Sequence, residues 1–466
     1  MNSEPLALPI SCPTDWPLVR LHEIARKVGS GATPTGGQAV YQPVRTGFAL
    51  IRSQNIFDRA FSDDGLAFIS DAQAHGLRSV QLELRDLLLN ITGDGVTFGR
   101  ACMVPEGVLP ACVNQHVSII RLDSKRADPG FVLSYLTHPA VKEYIGAFNA
   151  GGSRRAITKA HIESFVVPLP PLTVQRAISQ VLGTLDDRIA LLRETNATLE
   201  AIAQALFKSW FVDFDPVRAK SQGLAPTGMD EATAALFPDS FEESALGAVP
   251  KGWECIDLAE LTKRFGGGIQ TGPFGSQLHA SDYVKSGVPV VMPKDIVNRM
   301  ASTESVARIG AADADRLSRH KLQAGDIVFS RRGDVERHAL ITEREVGWLC
   351  GTGCLLLRPG RQWTSPGFLS MLLDAPRART WLVQRAVGAT MPNLNTGILG
   401  SVPIVLPPPA VVSAYEGLAS ATDEQRSRNA SMAETLATLR DTLLPRLISG
   451  QLRLPQAKAE LAKVTA

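Results

Sequence analysis

The sequence has no apolar run approaching the roughly 20 residues that a bilayer-spanning helix needs, so no membrane anchor is expected from it. Its six cysteines (Cys12, Cys102, Cys112, Cys255, Cys350, Cys354) are scattered, with no CxxC pair. That excludes a disulfide framework and fits a reducing cytoplasmic setting. Met1-Asn-Ser-Glu-Pro has no basic stretch leading into an apolar core, so no secretory signal is expected. The eight histidines show no HxH or HxxxH spacing, and Cys350 and Cys354 lack companion ligands, so no metal site is read. There is no GxxxxGK[ST] to cradle a nucleotide and no Asn/Asp-Pro-Pro-aromatic loop of an amino-methyltransferase. Phe265–Gly275 is glycine-rich but does not open a helix after a strand; it reads as a loop, and Gly93-Asp-Gly95 reads as a turn. Asp213 and Asp215 stand beside Pro216, where a helix end is the simpler reading than a metal pair. No catalytic centre and no bound cofactor are expected.

Excess charge is lacking too. The 48 basic and 46 acidic residues leave a net +2, far from a chain that coats phosphate along its whole surface. The distribution is uneven: residues 221–250 hold five acids and no base, whereas 251–402 hold 19 bases against 14 acids.

What is present is a duplication. Phe48-Ala-Leu-Ile-Arg-Ser-Gln-Asn-Ile matches Val288-Pro-Val-Val-Met-Pro-Lys-Asp-Ile at an offset of 240, and Leu84–Asp94 matches Ala324–Asp334 at the same offset. Pro129-Gly-Phe and Leu169-Pro-Pro recur as Pro366-Gly-Phe and Leu406-Pro-Pro at 237. Four matches in one order at nearly one offset mark two copies of one plan. Each copy opens with about 150 residues of short β-rich runs (Leu87–Thr92 and Val117–Arg121; Asp326–Ser330 and Cys354–Arg358) broken by Gly, Pro and Asn, which predicts a compact α+β module.

Each copy then crosses a proline boundary and changes period. Ile178, Leu182, Leu185, Ile189, Leu192, Asn196, Leu199, Ala203, Leu206 and Trp210 alternate four and three apart. Tyr415, Leu418, Thr422, Gln425, Asn429, Met432, Leu436, Leu439 and Leu443 do the same with a more polar seam. Such spacing predicts a long helix that buries its stripe either on its own module or against a partner helix. Two such seams in one chain favour a helix pair, a rod of roughly 50 Å at about 1.5 Å per residue. Asn196 and Asn429 fall near the middle of their seams, where paired in antiparallel sense they would set helix register.

Ser209-Trp-Phe-Val-Asp-Phe-Asp-Pro-Val-Arg-Ala-Lys220 resembles the segment closing the central conserved region of the specificity subunits of type I restriction–modification systems. Phe237–Trp253 resembles that family's lead-in to its second target recognition domain, and Leu169-Pro-Pro-Leu-Thr-Val-Gln175 resembles the start of its spacer helix. The second copy departs from the pattern, with Val411-Val-Ser-Ala where a Gln is usual. The resemblance implies an α+β fold of two target recognition domains joined by a pair of long antiparallel coiled-coil helices. The corresponding division is 1–167, first target recognition domain; 168–215, spacer helix; 216–250, acidic linker; 251–402, second target recognition domain; 403–450, second spacer helix; 451–466, tail. It implies a non-catalytic chain whose partners are double-stranded DNA, two methyltransferase subunits and restriction subunits. S-adenosylmethionine, ATP and Mg would be held by those partners. A duplicated scaffold for RNA or protein is the alternative.

Base edges are read by Arg, Lys, Asn, Gln, Ser and Thr, and phosphates by Lys, Arg and backbone N–H groups. In the first module the loops rich in these are Gly29–Gly37 (Ser30, Thr33, Thr35), Arg52–Asn55 (Arg52, Gln54, Asn55), Asn114-Gln115, and Gly151–Arg155 (Ser153, Arg154, Arg155). In the second they are Gln270–Gln277 (Gln270, Thr271, Ser276), Lys294, Ser330-Arg331-Arg332, and Thr390–Asn395 (Thr390, Asn393).

Overall fold

The computed structural model describes residues 9–93, 97–148, 155–303, 306–388 and 392–465. The chain divides into two units, Met1–Leu192 with Met432–Ala466, and Arg193–Ser431. Each of the two long helices, Leu172–Phe207 and Pro409–Ile448, therefore starts in one unit and finishes in the other.

In the first unit, strands Ala25–Ser30, Val117–Leu122, Leu87–Asn90 and Ala101–Met103 lie side by side in that order, all antiparallel. A smaller sheet places Phe48–Ile51 between Ala111–Val113, which runs parallel to it, and Ala67–Ile69, which runs antiparallel. The second unit repeats this with Gly268–Thr271, Cys354–Arg358, Ile327–Ser330 and His338–Leu340. Its smaller sheet pairs Val288–Val291 with Leu349–Cys350 in parallel and with Ala307–Ile309 in antiparallel sense. Both central strands, Leu87–Asn90 and Ile327–Ser330, are buried along their whole length, as expected for a strand covered on both faces. A helix follows each Pro-Gly-Phe, Pro129–Leu136 and Pro366–Asp374, with proline in its first turn where the missing N–H is not required.

Gln175 shows what the helix start needs. Its Oε1 accepts from the Asp128 N–H (2.8 Å) and its Nε2 donates to the Pro170 carbonyl (2.8 Å), tying helix to module. Val412 occupies the matching place in the second copy and is buried; there Glu416, one turn on, accepts from the N–H groups of Gly367 (3.1 Å) and Phe368 (3.0 Å) instead. The departure in sequence is thus a change of partner, with the docking retained.

Within the second unit the long helices run antiparallel: Trp210 meets Tyr415 and Asn196 meets Asn429. Within the first, Ile178, Leu182, Leu185 and Ile189 share a core with Leu436, Leu443 and Leu447. The second seam corrects the expected one. Tyr415, Asn429, Leu436 and Leu443 face inward as read, but Leu418 (54% exposed), Gln425 and Met432 (42%) face outward. Ala419, Arg426 and Ala433, each one residue further along, take the inward positions. The chosen face admits small alanines and long-stemmed arginines that reach carboxylates on the partner helix, which a search for apolar residues alone passes over.

Those arginines belong to a device built twice. In the first unit Arg59 donates from Nε and Nη2 to Asp186 (2.8 and 2.6 Å) and from Nη1 to Ser134 Oγ (2.8 Å), and Arg440 donates to the other Asp186 oxygen (3.0 Å). In the second, Arg299 donates to both Glu200 oxygens (2.9 and 3.2 Å) and to Ser370 Oγ (3.2 Å). Arg426 closes on the same Glu200 at 2.6 Å and on Asp423 at 3.0 Å. Arg59 and Arg299 both sit in the left-handed region, at φ 61° and 60°. A non-glycine side chain held there is uncommon and is sustained by its surroundings. Each arginine carries its module onto the helix pair of its own unit.

Residues 216–250 are folded. They include the end of helix Asp215–Ser221, helix Glu231–Ala235 and a hairpin of Phe241–Ser244 with Gly247–Pro250. The first long helix ends in a π-helical turn, Lys208–Val212, whose extra residue brings both Trp210 and Phe211 into one apolar cluster with Phe237, Trp253, Phe368 and Tyr415.

The Asn196 Nδ2 donates to the Arg426 carbonyl (2.9 Å), and Asn429 Nδ2 donates to Asn196 Oδ1 (2.9 Å). Replacing both asparagines by leucine is expected to raise the unfolding free energy by about 1 kcal/mol, read as a higher urea midpoint, because a polar layer at a core position costs stability in return for register. Asn429→Leu alone should fall below the double variant, since it strands the Asn196 carbonyl. A double variant less stable than the wild type would show that the pair is not a register layer.

Candidate nucleic-acid interface

At one end of the first module the connections after four strands converge. Gly31 N–H donates to the Val117 carbonyl (2.8 Å), Ala32 N–H to Val113 (3.1 Å), and Asn114 N–H to Ile51 (3.0 Å). A Cβ on Gly31 would collide with the Asn114 carbonyl oxygen, so only glycine permits this crossing. Ser30, Thr33 and Thr35 are exposed along the first connection, and the Thr33 hydroxyl donates to Gln115 Oε1 from the next. Gln115 Nε2 lies 3.3 Å from the His116 ring, which lies 2.7 Å from the Thr92 hydroxyl. His116 was not read from the sequence; its signal is the Asn-Gln-His run between two strands.

Arg52 stacks its guanidinium 5.6 Å from the Tyr41 ring centroid and hydrogen-bonds the Gly65 carbonyl, while its Nε has no protein partner among the described residues. Gln54 is exposed. Asn55 corrects the sequence reading. It is fully buried, accepts from the Arg52 N–H (3.1 Å) and donates to the carbonyls of Ser62 (3.0 Å) and Asp64 (3.1 Å). With its amide consumed inside the turn, it holds the loop and cannot reach a base. Asn114, 7% exposed, caps its own turn by accepting from the His116 N–H (3.1 Å). Ser153 and Arg154 lie outside the described residues; the Arg155 backbone pairs with Gly93 beside this end.

The second module builds the same end from other residues. Gly272 N–H donates to Cys354 (2.9 Å), Gly351 N–H to Val291 (2.9 Å), and Arg331 N–H to Gly353 (2.9 Å). A Cβ on Gly272 would strike the Gly351 carbonyl oxygen, the counterpart of the Gly31 crossing. Around this knot lie Thr271, exposed Ser276, exposed Lys294 with Asp295 at 3.3 Å, half-buried Arg331 and exposed Arg332. Asn393 joins through a backbone bridge to Arg332, and its Oδ1 and the Arg331 Nε are both buried without a protein partner among the described residues. Gln270 turns aside, its amide bonded to the Arg319 carbonyl (2.8 Å). Ser330 is a further correction: it is buried and its hydroxyl donates to the Arg332 carbonyl (2.9 Å), shaping the turn that presents the two arginines. Thr390 lies outside the described residues.

Three titratable groups are held neutral by burial. Burial lowers His338 to about 3, so the ring is neutral where it meets Ser370. Burial likewise raises the Cys350 and Cys354 thiols, which keeps them protonated and poor nucleophiles. Among the described residues no helix is long and apolar enough to cross a membrane.

Residues 62–201 match the family described as type I restriction modification DNA specificity domain. The chain is 27% identical over 395 residues to the type I restriction enzyme HindI specificity subunit of Haemophilus influenzae, spanning 76% of this chain and 84% of the relative. It is 22% identical over 334 residues to the MjaIX specificity subunit of Methanocaldococcus jannaschii, spanning 70% of this chain and 71% of that one. Among solved structures it is similar to a type I restriction–modification S subunit from M. genitalium. The TM-score is 0.53 and the identity 14%, over 94% of this chain and 98% of the other, which is a likeness of fold.

Proposed function

We propose that this chain, a member of the specificity-subunit family of type I restriction–modification systems, reads double-stranded DNA with the loop end of each module, one half-site per module. The observation that carries the reading is the pair of loop ends built on one topology but furnished differently: Thr33, Gln115, His116 and Arg52 in one, Lys294, Arg331, Arg332 and Ser276 in the other. Equal scaffolds with unequal polar tips are what a bipartite, asymmetric site requires, since base-edge contacts specify and the scaffold only positions. On this reading 1–167 and 251–402 are the target recognition domains, 168–215 and 403–450 the spacer helices, and 216–250 and 451–466 their linker and tail.

The long helices dock two methyltransferase subunits, and restriction subunits join for cleavage. Leu191 (51% exposed), Ile202 (56%), Leu418 (54%) and Met432 (42%) support this, as apolar side chains left on outward faces of these helices. S-adenosylmethionine, ATP and Mg belong to the partners, which carry out adenine methylation and cutting in the cytoplasm. The chain itself contributes address and spacing.

The purified chain is expected to transfer no methyl group, and to give site-specific methylation of duplex DNA once methyltransferase subunits are added. An electrophoretic shift with competing RNA separates the readings: RNA should not displace the cognate duplex. Methyl transfer from S-adenosylmethionine by the pure chain, or preferential RNA binding, would reject the proposal.

A further inference from the structure

Phe274 stands out at the second loop end. It is 56% exposed, and among the described residues no ring or guanidinium stacks on it. Phe57, the other strongly exposed phenylalanine, is covered by Arg100 at 4.6 Å. The backbone beneath Phe274 is held firmly. Its N–H donates to Gln277 Oε1 (3.0 Å), and its carbonyl accepts from the N–H groups of Gln277 (2.8 Å) and Leu278 (3.2 Å). Leu278 is buried in a core with Val290, Ile309 and Leu349. Pro273 is buried on one side, and Gly275 leaves open space on the other. Two residues before Phe274, Gly272 lies against Gly351, and the same turn carries the Gly353 carbonyl that receives the Arg331 N–H. A rigid loop therefore presents a bare aromatic ring on the end that also carries Arg331, Arg332 and Lys294. A free apolar ring beside cations that suit phosphates is the arrangement that meets the face or methyl group of a base.

We propose that Phe274 is a specificity-determining residue that makes an apolar contact with one base of the half-site read by the second module. This rests on the DNA-reading function proposed above. The matching place after Gly31 in the first module carries Thr33, whose hydroxyl is engaged by Gln115, so the apolar contact belongs to one half-site only.

The test uses the full chain assembled with its methyltransferase partners, on duplexes carrying the motif that the wild-type assembly methylates. Phe274→Ala should weaken binding to that duplex about ten-fold, the range of one base–aromatic contact. Binding to unrelated duplex and the thermal midpoint should stay unchanged, because the ring supports no core. Phe274→Trp should retain most of the affinity. Methylome sequencing should show relaxation at one position of the second half-site and none in the first. Replacing thymine by deoxyuridine along that half-site reports a methyl contact, and 2-aminopurine fluorescence reports an unstacked base; either response, lost in Phe274→Ala, supports the proposal. If the wild-type assembly methylates a defined motif while Phe274→Ala keeps its affinity and its motif, the Phe274 proposal alone is wrong. If the wild-type assembly methylates no defined motif, the DNA-reading function has failed.

Discussion

Arg299→Met should destabilise the second unit by about 3–5 kcal/mol, the cost of leaving one partner of a buried ion pair without the other. The Arg299 side chain is 5% exposed and makes three hydrogen bonds, two to Glu200 and one to Ser370. Its loss leaves Glu200 (12% exposed) with Arg426 as its one cation beside the Gln204 amide, and Asp423 with one cation fewer. Lysine keeps the charge but not the planar fork, so Arg299→Lys should recover only part of the loss. Five of the six tryptophans (Trp210, Trp253, Trp348, Trp363 and Trp381) lie in this unit, so urea unfolding followed by tryptophan fluorescence reports on it. A change of less than 1 kcal/mol in Arg299→Met would mean that the network does not hold module to helices.

The second large effect is electrostatic. Replacing Lys294, Arg331 and Arg332 together by glutamine should make the log–log dependence of DNA affinity on salt shallower by about 2 to 3. Each phosphate contact contributes roughly 0.9 to that slope. Arg332 is exposed and Arg331 half-buried, and both leave one turn on the end that Lys294 shares. Replacing Arg377 and Arg379, which stand on helix Pro376–Arg385, should leave the slope unaltered and serves as the control. An unchanged slope in the triple variant would remove this end from the DNA interface.

Much of this architecture is legible in the sequence. The offsets of 240 and 237 recur as matched strands, and the heptad stripe on Ile178–Trp210 is the face that the first helix buries. The turn chemistry located both loop ends but not which side chains are free there. Asn55 and Ser330 have the composition of loop readers, yet each spends its polar atoms on nearby backbone. Composition cannot distinguish a side chain that bonds its own turn from one that faces solvent. The arginine device was written in the sequence as Asn55-Ile-Phe-Asp-Arg59 and Asp295-Ile-Val-Asn-Arg299, again 240 apart. Its meaning depends on Asp186 and Glu200, carboxylates 127 and 99 residues away from the respective arginines, which no local pattern identifies. The second seam was misplaced for a related reason, since Arg426 enters the interior only because Glu200 waits there.

The central claim is that each module reads its own half of a divided DNA site. It is tested most directly by methylome sequencing of a host expressing this chain with its methyltransferase partner. Wild type should be compared with Thr33→Ala/Gln115→Ala in the first module and Arg331→Ala/Arg332→Ala in the second. The account predicts a bipartite methylated motif in which the first pair of substitutions relaxes one half and the second pair relaxes only the other. An uninterrupted motif, or a pair of substitutions in one module that alters both halves, would contradict it.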